Sequence, residues 1–298
     1  MINIFLRLGH EASGQVVKIG KNVKNLKPGD RVAIEPGVPC KNCCYCKEGK
    51  YNLCPDIFFC ATPPDDGNLC RYYCHAADFC YKLPDNMSYE EGAIMEPLSV
   101  GVHACRRGNV QVGSVVLILG AGPIGLVTLL TAKAFGASKV IITDLVDDRL
   151  KVAKHFGADY IMKIEKNMSE KDIVSKIGEI LGEAPNVSLD CTGVEICVRV
   201  ALNVTKTGGT VVLVGMGKDE QTVPLTGALI REIDIKGIFR YCNDYPIAIE
   251  LVRSGKVNVN PLITHRFKME DTCKAFKTAI TGEGNPIKIM IYPNRSSL

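Results

Sequence analysis

The chain has 298 residues, 46% hydrophobic and 23% charged, enough apolar material for a core of ordinary size and a length that suits two domains better than one. Its net charge of +4 arises from dispersed lysines and arginines, so the concentrated basic face of a nucleic-acid-binding protein is missing. The apolar start Met1–Leu8 is too short for a secretory h-region or a membrane span, and 14 cysteines in a chain this long point to free thiols or metal ligands in a reducing cytoplasm, not to a disulfide scaffold.

Residues 1 to about 97 consist of short alternating runs, such as Gln15–Ile19 and Arg31–Ile34 joined through Lys27-Pro-Gly-Asp30, a pattern that predicts short strands and tight turns. Between residues 39 and 55 lies the spacing Cys40-x2-Cys43-x2-Cys46-x7-Cys54. Four thiolates so close together can surround one tetrahedral zinc ion without help from distant segments, and Cys44 is a spare thiol with which Cys43 could exchange roles. A sphere closed by four protein ligands leaves no place for substrate, so this ion is expected to fix a loop. His10-Glu11 and Glu96-Pro97 are the other ionisable groups of note. Spacing alone reads the first as a surface or satisfied buried pair, and the second as a helix start whose carboxylate complements the dipole.

From Val115 the grammar changes. A strand at Val115–Leu119 precedes a glycine turn, a helix from Ile124 to Phe135 and a strand at Lys139–Thr143. Further helices are predicted near 148–156, 171–181 and 196–204, with strands at Asn186–Asp190 and Thr210–Val214 between them. This βαβα order predicts an α/β fold with a doubly wound parallel sheet. After Phe239 come one helix, roughly Pro246–Ser254, and mixed elements ending in Ile287–Tyr292, which we assign back to the first domain.

The turn Gly120-Ala-Gly122-Pro-Ile124-Gly125 stands between a strand and a helix, the context in which G-x-G-x-x-G binds a dinucleotide. Gly120 permits the tight turn, Gly122 lets the backbone approach a pyrophosphate, and Gly125 lets helix and strand pack closely. Asp144 lies at the end of the second strand, where a carboxylate accepts the adenosine ribose hydroxyls and favours NAD over NADP. It could instead cap the following helix, for which Asp147 competes. Arg149 could stack on adenine or meet a 2′-phosphate, which leaves the choice of dinucleotide open.

The motifs Gly9-His10-Glu11-Ala-Ser-Gly14, Lys27-Pro-Gly-Asp-Arg-Val32, the four-cysteine lobe and the Gly120–Gly125 turn occur in an order that resembles the zinc-dependent medium-chain dehydrogenases. Ile57–Asn68, Phe79–Asp85, Glu96–Val100 and Phe239–Asn243 further resemble the polyol dehydrogenases of that family. The resemblance implies a mostly β, GroES-like catalytic domain made of residues 1–97 and 239–298, with an NAD-binding Rossmann domain, 98–238, inserted between them. It implies that His10 and Glu11 bind a catalytic zinc and that Glu96 holds its water. Phe59, Thr62, Arg240 and Tyr241 fall at the polyol-pocket positions, and Cys40, Cys43, Cys46 and Cys54 at a structural zinc site. Gly120, Gly122, Ile124, Gly125, Asp144 and Arg149 fall to the cofactor. The family acts on small polyols such as sorbitol and xylitol and assembles as homo-oligomers, usually tetramers.

The family carries one more catalytic-zinc ligand, a cysteine in a Gly-x-Cys-Gly-Ser-Asp segment ahead of the Gly-His-Glu motif, and this chain starts nine residues before His10 without a counterpart to it. Two readings follow from the resemblance: an NAD-dependent polyol dehydrogenase impaired by the missing thiolate, or a silent isoform that binds NAD and structural zinc and acts by associating with other subunits.

Overall fold

The computed structural model describes residues 6–293, so that Met1–Phe5 of the apolar start lies outside the described residues. Two compact units emerge, one made of Met1–Ser99 with Cys242–Leu298 and the other of Val100–Tyr241.

The first unit opens with β1 (Ala12–Gln15), β2 (Arg31–Ile34), β3 (Gly37–Val38), α1 (Cys44–Lys47), β4 (Phe58–Phe59) and β5 (Cys80–Lys82). β1, β2 and β5 form an antiparallel sheet in that order, and β3 pairs with β4. The first strand lies three residues earlier than its alternating pattern predicts. β2 begins at Arg31, opposite Gln15, so Val16 already bonds to the Gly29-Asp30 turn and Val17 is left 65% exposed. Helix α2 (Tyr89–Arg107) then crosses the boundary between the units. It starts at a capping box, with the Ser88 hydroxyl accepting the Glu91 N–H at 3.1 Å and the Glu91 carboxylate accepting the Ser88 N–H at 2.7 Å. Glu96-Pro97 is therefore not a helix start but lies in mid-helix among buried Ile94, Met95 and Leu98.

The second unit holds β6 (Val115–Leu119), α3 (Pro123–Ala134), β7 (Lys139–Asp144), α4 (Asp147–His155), β8 (Tyr160–Lys163), α5 (Glu170–Leu181), β9 (Val187–Asp190), α6 (Glu195–Val204), β10 (Thr210–Leu213), α7 (Leu225–Leu229) and β11 (Asp234–Gly237). The six strands form one parallel sheet in the order β11-β10-β9-β6-β7-β8. The order reverses on either side of β6, so the carboxyl ends of β6 and β9 mark the switch point at which open α/β sheets take their ligands. Leu117, Ile141, Val211 and, from α5, Ile177 are fully buried in this sheet's core. The strand runs could be read from sequence because a parallel sheet covered on both faces needs continuous apolar segments.

The chain returns to the first unit through α8 (Tyr245–Arg253), β12 (Ile263–Lys268), α9 (Thr272–Thr281) and β13 (Lys288–Tyr292), with β12 and β13 paired in parallel. Among the described residues no helix is long and apolar enough to cross a membrane.

A buried carboxyl sits inside this first unit. Glu35, next after β2, is 1% exposed and accepts phenol hydrogen bonds from Tyr51 at 2.7 Å and Tyr81 at 2.8 Å. Burial pushes its pKa up to about 7, against the lowering effect of the two phenols. The sign of the linkage follows. The unfolded chain loses this proton near pH 4.5 and the folded chain near 7, so ionisation of Glu35 lowers stability across that window by on the order of 3 kcal/mol. Urea unfolding of the wild type and Glu35→Gln at pH 5 and pH 7.5 tests this: the stability difference between the two proteins should shift towards the variant at the higher pH, and an unchanged difference would refute it.

Candidate functional site

In the second unit the chain leaves β6 through Gly120, whose φ of +94° is the left-handed conformation that a tight turn needs and that glycine adopts without strain. Its N–H donates to the Thr143 carbonyl at 2.8 Å, tying the turn to β7. A Cβ at Gly125 would stand 1.9 Å from the Gly120 carbonyl oxygen, so only glycine allows α3 to start this close to β6. A Cβ at Gly122 would meet nothing, which leaves this side of the turn open to an incoming group. Pro123 occupies the first helical position, with Ile124 behind it, and the first turn is the positive end of the helix dipole, of the kind that attracts anions.

Asp144 does not cap α4. That helix starts at Asp147 with Val146 in the cap position. The Asp144 carboxylate instead accepts the N–H of Ala121 in the glycine turn at 2.8 Å and that of Val146 at 2.9 Å, and Arg149 stands 3.8 Å from one of its oxygens. The turn and the carboxylate are thus one rigid piece.

In the first unit, His10, Glu11 and Glu96 come together: one ligand atom from each lies within 4.8 Å of the others. They are far apart in sequence, His10 and Glu11 entering β1 and Glu96 on α2, and Glu96 is only 6% exposed. Phe59 on β4, buried, sets its ring 6.1 Å from the His10 imidazole. Lys288 on β13 places its ammonium on the Glu11 carboxylate. Sequence reasoning missed Lys288; its signal was a single cation in the apolar run Ile287-Lys-Ile-Met-Ile291.

The four-cysteine lobe also assembles. The sulfurs of Cys40, Cys43, Cys46 and Cys54 all lie within 4.8 Å of one another, with Cys43 at 3.5 Å and Cys40 at 4.0 Å from Cys46. These separations bracket the edge of about 3.8 Å for a tetrahedron with zinc–sulfur bonds of 2.3 Å. Cys44 is exposed and is not among the four thiols that gather, whereas Cys43 is. Hydrogen bonds from the backbone N–H groups of Asn42 and Cys43 hold the Cys40 thiol down at about 7, while burial pushes Cys46 up to about 12. Both donor sets suit zinc: four thiolates for a closed site, an imidazole and carboxylates for an open one.

Of the remaining pocket positions, Thr62 is exposed and its N–H donates to the Phe59 carbonyl at 3.1 Å in the turn after β4. Arg240 and Tyr241 close the second unit, with Arg240 over the Phe239 ring at 4.6 Å and Tyr241 2% exposed.

Two family descriptions match the chain, Zinc-binding dehydrogenase over residues 123–254 and Alcohol dehydrogenase GroES-like domain over residues 2–85. Sorbitol dehydrogenase of Macaca fascicularis is 57% identical over 287 residues, which make up 96% of this chain and 80% of that protein. Among solved structures, an Escherichia coli oxidoreductase/dehydrogenase of unknown specificity aligns with a TM-score of 0.91 at 38% identity, over 96% of this chain and 82% of that one. An alcohol dehydrogenase from Escherichia coli CFT073 complexed with the cofactor NADH aligns with a TM-score of 0.89 at 25% identity, over 95% and 82%. A GroES-like unit joined to a doubly wound dinucleotide-binding unit makes this a zinc-binding dehydrogenase. Within that class the chain belongs to the sorbitol dehydrogenase family.

The contact at Gly125 gives a direct check. Gly125→Val must push α3 away from Gly120, and losing one hydrogen bond to a charged phosphate, about 1.5–3 kcal/mol, costs on the order of 10- to 100-fold in affinity. NADH fluorescence titration should show that loss with the far-ultraviolet circular dichroism unchanged; wild-type affinity in the folded variant would contradict it.

Proposed function

We propose that the chain is an NAD-dependent, zinc-binding polyol dehydrogenase that oxidises a secondary alcohol of sorbitol or xylitol to the ketose. The alcohol carbon gives its hydride to the nicotinamide and the hydroxyl gives up its proton, so NAD becomes NADH and one proton is released. The observation that carries this reading is the convergence of His10, Glu11 and Glu96 beside Phe59 in a unit of dehydrogenase type.

His10 and Glu11 would hold the catalytic zinc, and Glu96, buried opposite them, would accept a hydrogen bond from a water in the site. Zinc, when bound, supplies Lewis acidity that brings the pKa of an alcohol towards neutrality. Lys288 pairs with one oxygen of Glu11 and holds its carboxylate, as partners behind metal ligands commonly do. Phe59, Thr62, Arg240 and Tyr241 are assigned to the polyol. Gly120, Gly122, Ile124 and Gly125 receive the pyrophosphate, and Asp144 with Arg149 the adenosine ribose. Cys40, Cys43, Cys46 and Cys54 hold a structural zinc. Residues 1–97 with 239–298 act as the catalytic domain and 98–238 as the NAD domain.

We also place the enzyme in the cytoplasm as a homo-oligomer, tetrameric as in the family. A second copy has a candidate surface: β11 pairs only with β10 among the described residues, Ile235 on it is 42% exposed, and Leu229 and Ile230 just before it are each 74% exposed.

NADH formation from sorbitol, xylitol and a simple secondary alcohol, measured on protein of known zinc content, decides the reading. The polyols should be favoured in kcat/KM by at least about tenfold, worth about 1.4 kcal/mol of transition-state binding. A zinc- and NADH-binding protein without polyol turnover would overturn the proposal. For the role of Lys288, Lys288→Met should weaken metal retention at the His10–Glu11 site by about 10- to 100-fold in chelator competition, leaving the four-cysteine site loaded; equal retention would remove Lys288 from the site.

A further inference from the structure

Glu35 lies between the two metal clusters of the first unit without belonging to either. One carboxyl oxygen accepts the phenol of Tyr51, which sits inside the lobe between Cys46 and Cys54 and whose carbonyl accepts the Cys54 N–H at 3.1 Å. The other accepts the phenol of Tyr81 on β5, whose ring stacks on Tyr245 at 5.2 Å. The backbone is held as tightly: the Glu35 N–H donates to the Phe79 carbonyl at 2.9 Å, and the His75 Nε2 lies 2.7 Å from the Glu35 carbonyl oxygen.

Two residues on, Gly37 pairs with Phe59, and the Pro36 carbonyl accepts the Cys60 N–H at 3.2 Å. Phe59 is the ring against His10. Gly37 itself has no slack, since a Cβ there would lie 3.1 Å from the Phe59 ring. On its far side the lobe is tied down again, by the Cys242 thiol at 2.7 Å and the Asn243 amide at 3.1 Å, both donating to the Gly49 carbonyl, and by the Asn243 N–H donating to the Tyr51 oxygen at 2.9 Å. A continuous path of hydrogen bonds and packed rings thus runs from the cysteine lobe through Tyr51 and Glu35 to Phe59 and His10.

We propose that Glu35 is a positioning residue that couples metal occupancy of the four-cysteine lobe to the placement of Phe59 against His10, so that the lobe controls substrate binding from outside the pocket. The inference rests on the proposed function for its substrate arm alone. A buried carboxyl with two phenol donors on different segments acts as a clamp, because removing it leaves two half-buried phenols without their acceptor.

The test loads the lobe with cobalt, since thiolate ligation gives a near-ultraviolet charge-transfer band that an imidazole–carboxylate site lacks. Loss of that band to a chelator is followed for the wild type, Tyr51→Phe, Glu35→Ala, the double variant and Glu35→Gln. Tyr51→Phe and Glu35→Ala should each lose cobalt about tenfold faster, the double variant no faster than Glu35→Ala alone, and each should raise KM for the polyol more than it lowers kcat. Glu35→Gln should recover most of the wild-type behaviour, because its amide can accept from Tyr51 and donate to Tyr81. Wild-type cobalt loss in both single variants, additive effects in the double variant, or no recovery in Glu35→Gln would each overturn the coupling. If the protein turns over no polyol, the cobalt arm still decides for or against the clamp, so the two proposals fail separately.

Discussion

Two carboxyl groups and an imidazole gathered within 4.8 Å, one of the carboxyls 6% exposed, set the constraint on which the first unit depends. At an effective dielectric of about 20, two ionised carboxylates 4.8 Å apart would repel by roughly 3 to 4 kcal/mol, a cost that a proton or a cation between them relieves. Lys288 supplies a cation, on Glu11. A divalent ion between His10, Glu11 and Glu96 would convert that repulsion into ligation. β13 from the end of the chain and α2 from its middle thus both meet the loop before β1, the one bringing Lys288 and the other Glu96.

The four-cysteine lobe solves a different problem. Its ligands come from 15 consecutive residues, Cys40 to Cys54, so a metal there needs no convergence of distant segments and its coordination sphere leaves no vacancy for substrate. Its influence on chemistry must pass through what it touches. Tyr51 and the Gly49 carbonyl are among those contacts, and they lead to Glu35 and to the returning segment Cys242–Tyr245. The closed site is thereby wired to the framework that carries the open one.

How much of this could be read from residues alone depended on how local each signal was. The cysteine spacing and the Gly120–Gly125 turn are local, and both assembled as their spacing implied. The strands β6, β7 and β9 were visible because burial on both faces writes an apolar run. β8 and β11 were not: Tyr160-Ile-Met-Lys and Asp234-Ile-Lys-Gly lie at the two edges of the sheet, where partial exposure breaks the run. The mid-helix position of Glu96 was hidden by Pro97, which marks a helix start in most contexts, whereas here the helix had begun at the Ser88–Glu91 box about two turns earlier. Lys288 could not have been paired with Glu11 from spacing, since 276 residues separate them. Its partner is set by where β13 docks.

The choice between NAD and NADP turns on one carboxylate. Asp144 was open to two readings, helix cap or ribose acceptor, and the cap is gone, because its oxygens serve Ala121 and Val146. Each oxygen has a second lone pair, so these two bonds orient the carboxylate without exhausting it. A ribose diol placed at the turn would meet an acceptor already aimed by the turn it sits on. A 2′-phosphate would bring a dianion to the same carboxylate, whose side chain is only 8% exposed and so poorly screened, with Arg149 at 3.8 Å and 48% exposed as the counter-charge near it. That arginine is already engaged by Asp144, and a half-exposed guanidinium offsets little of the repulsion between two buried anions. The geometry that ties the glycine turn to Asp144 is therefore also what supports the proposed preference for the unphosphorylated dinucleotide.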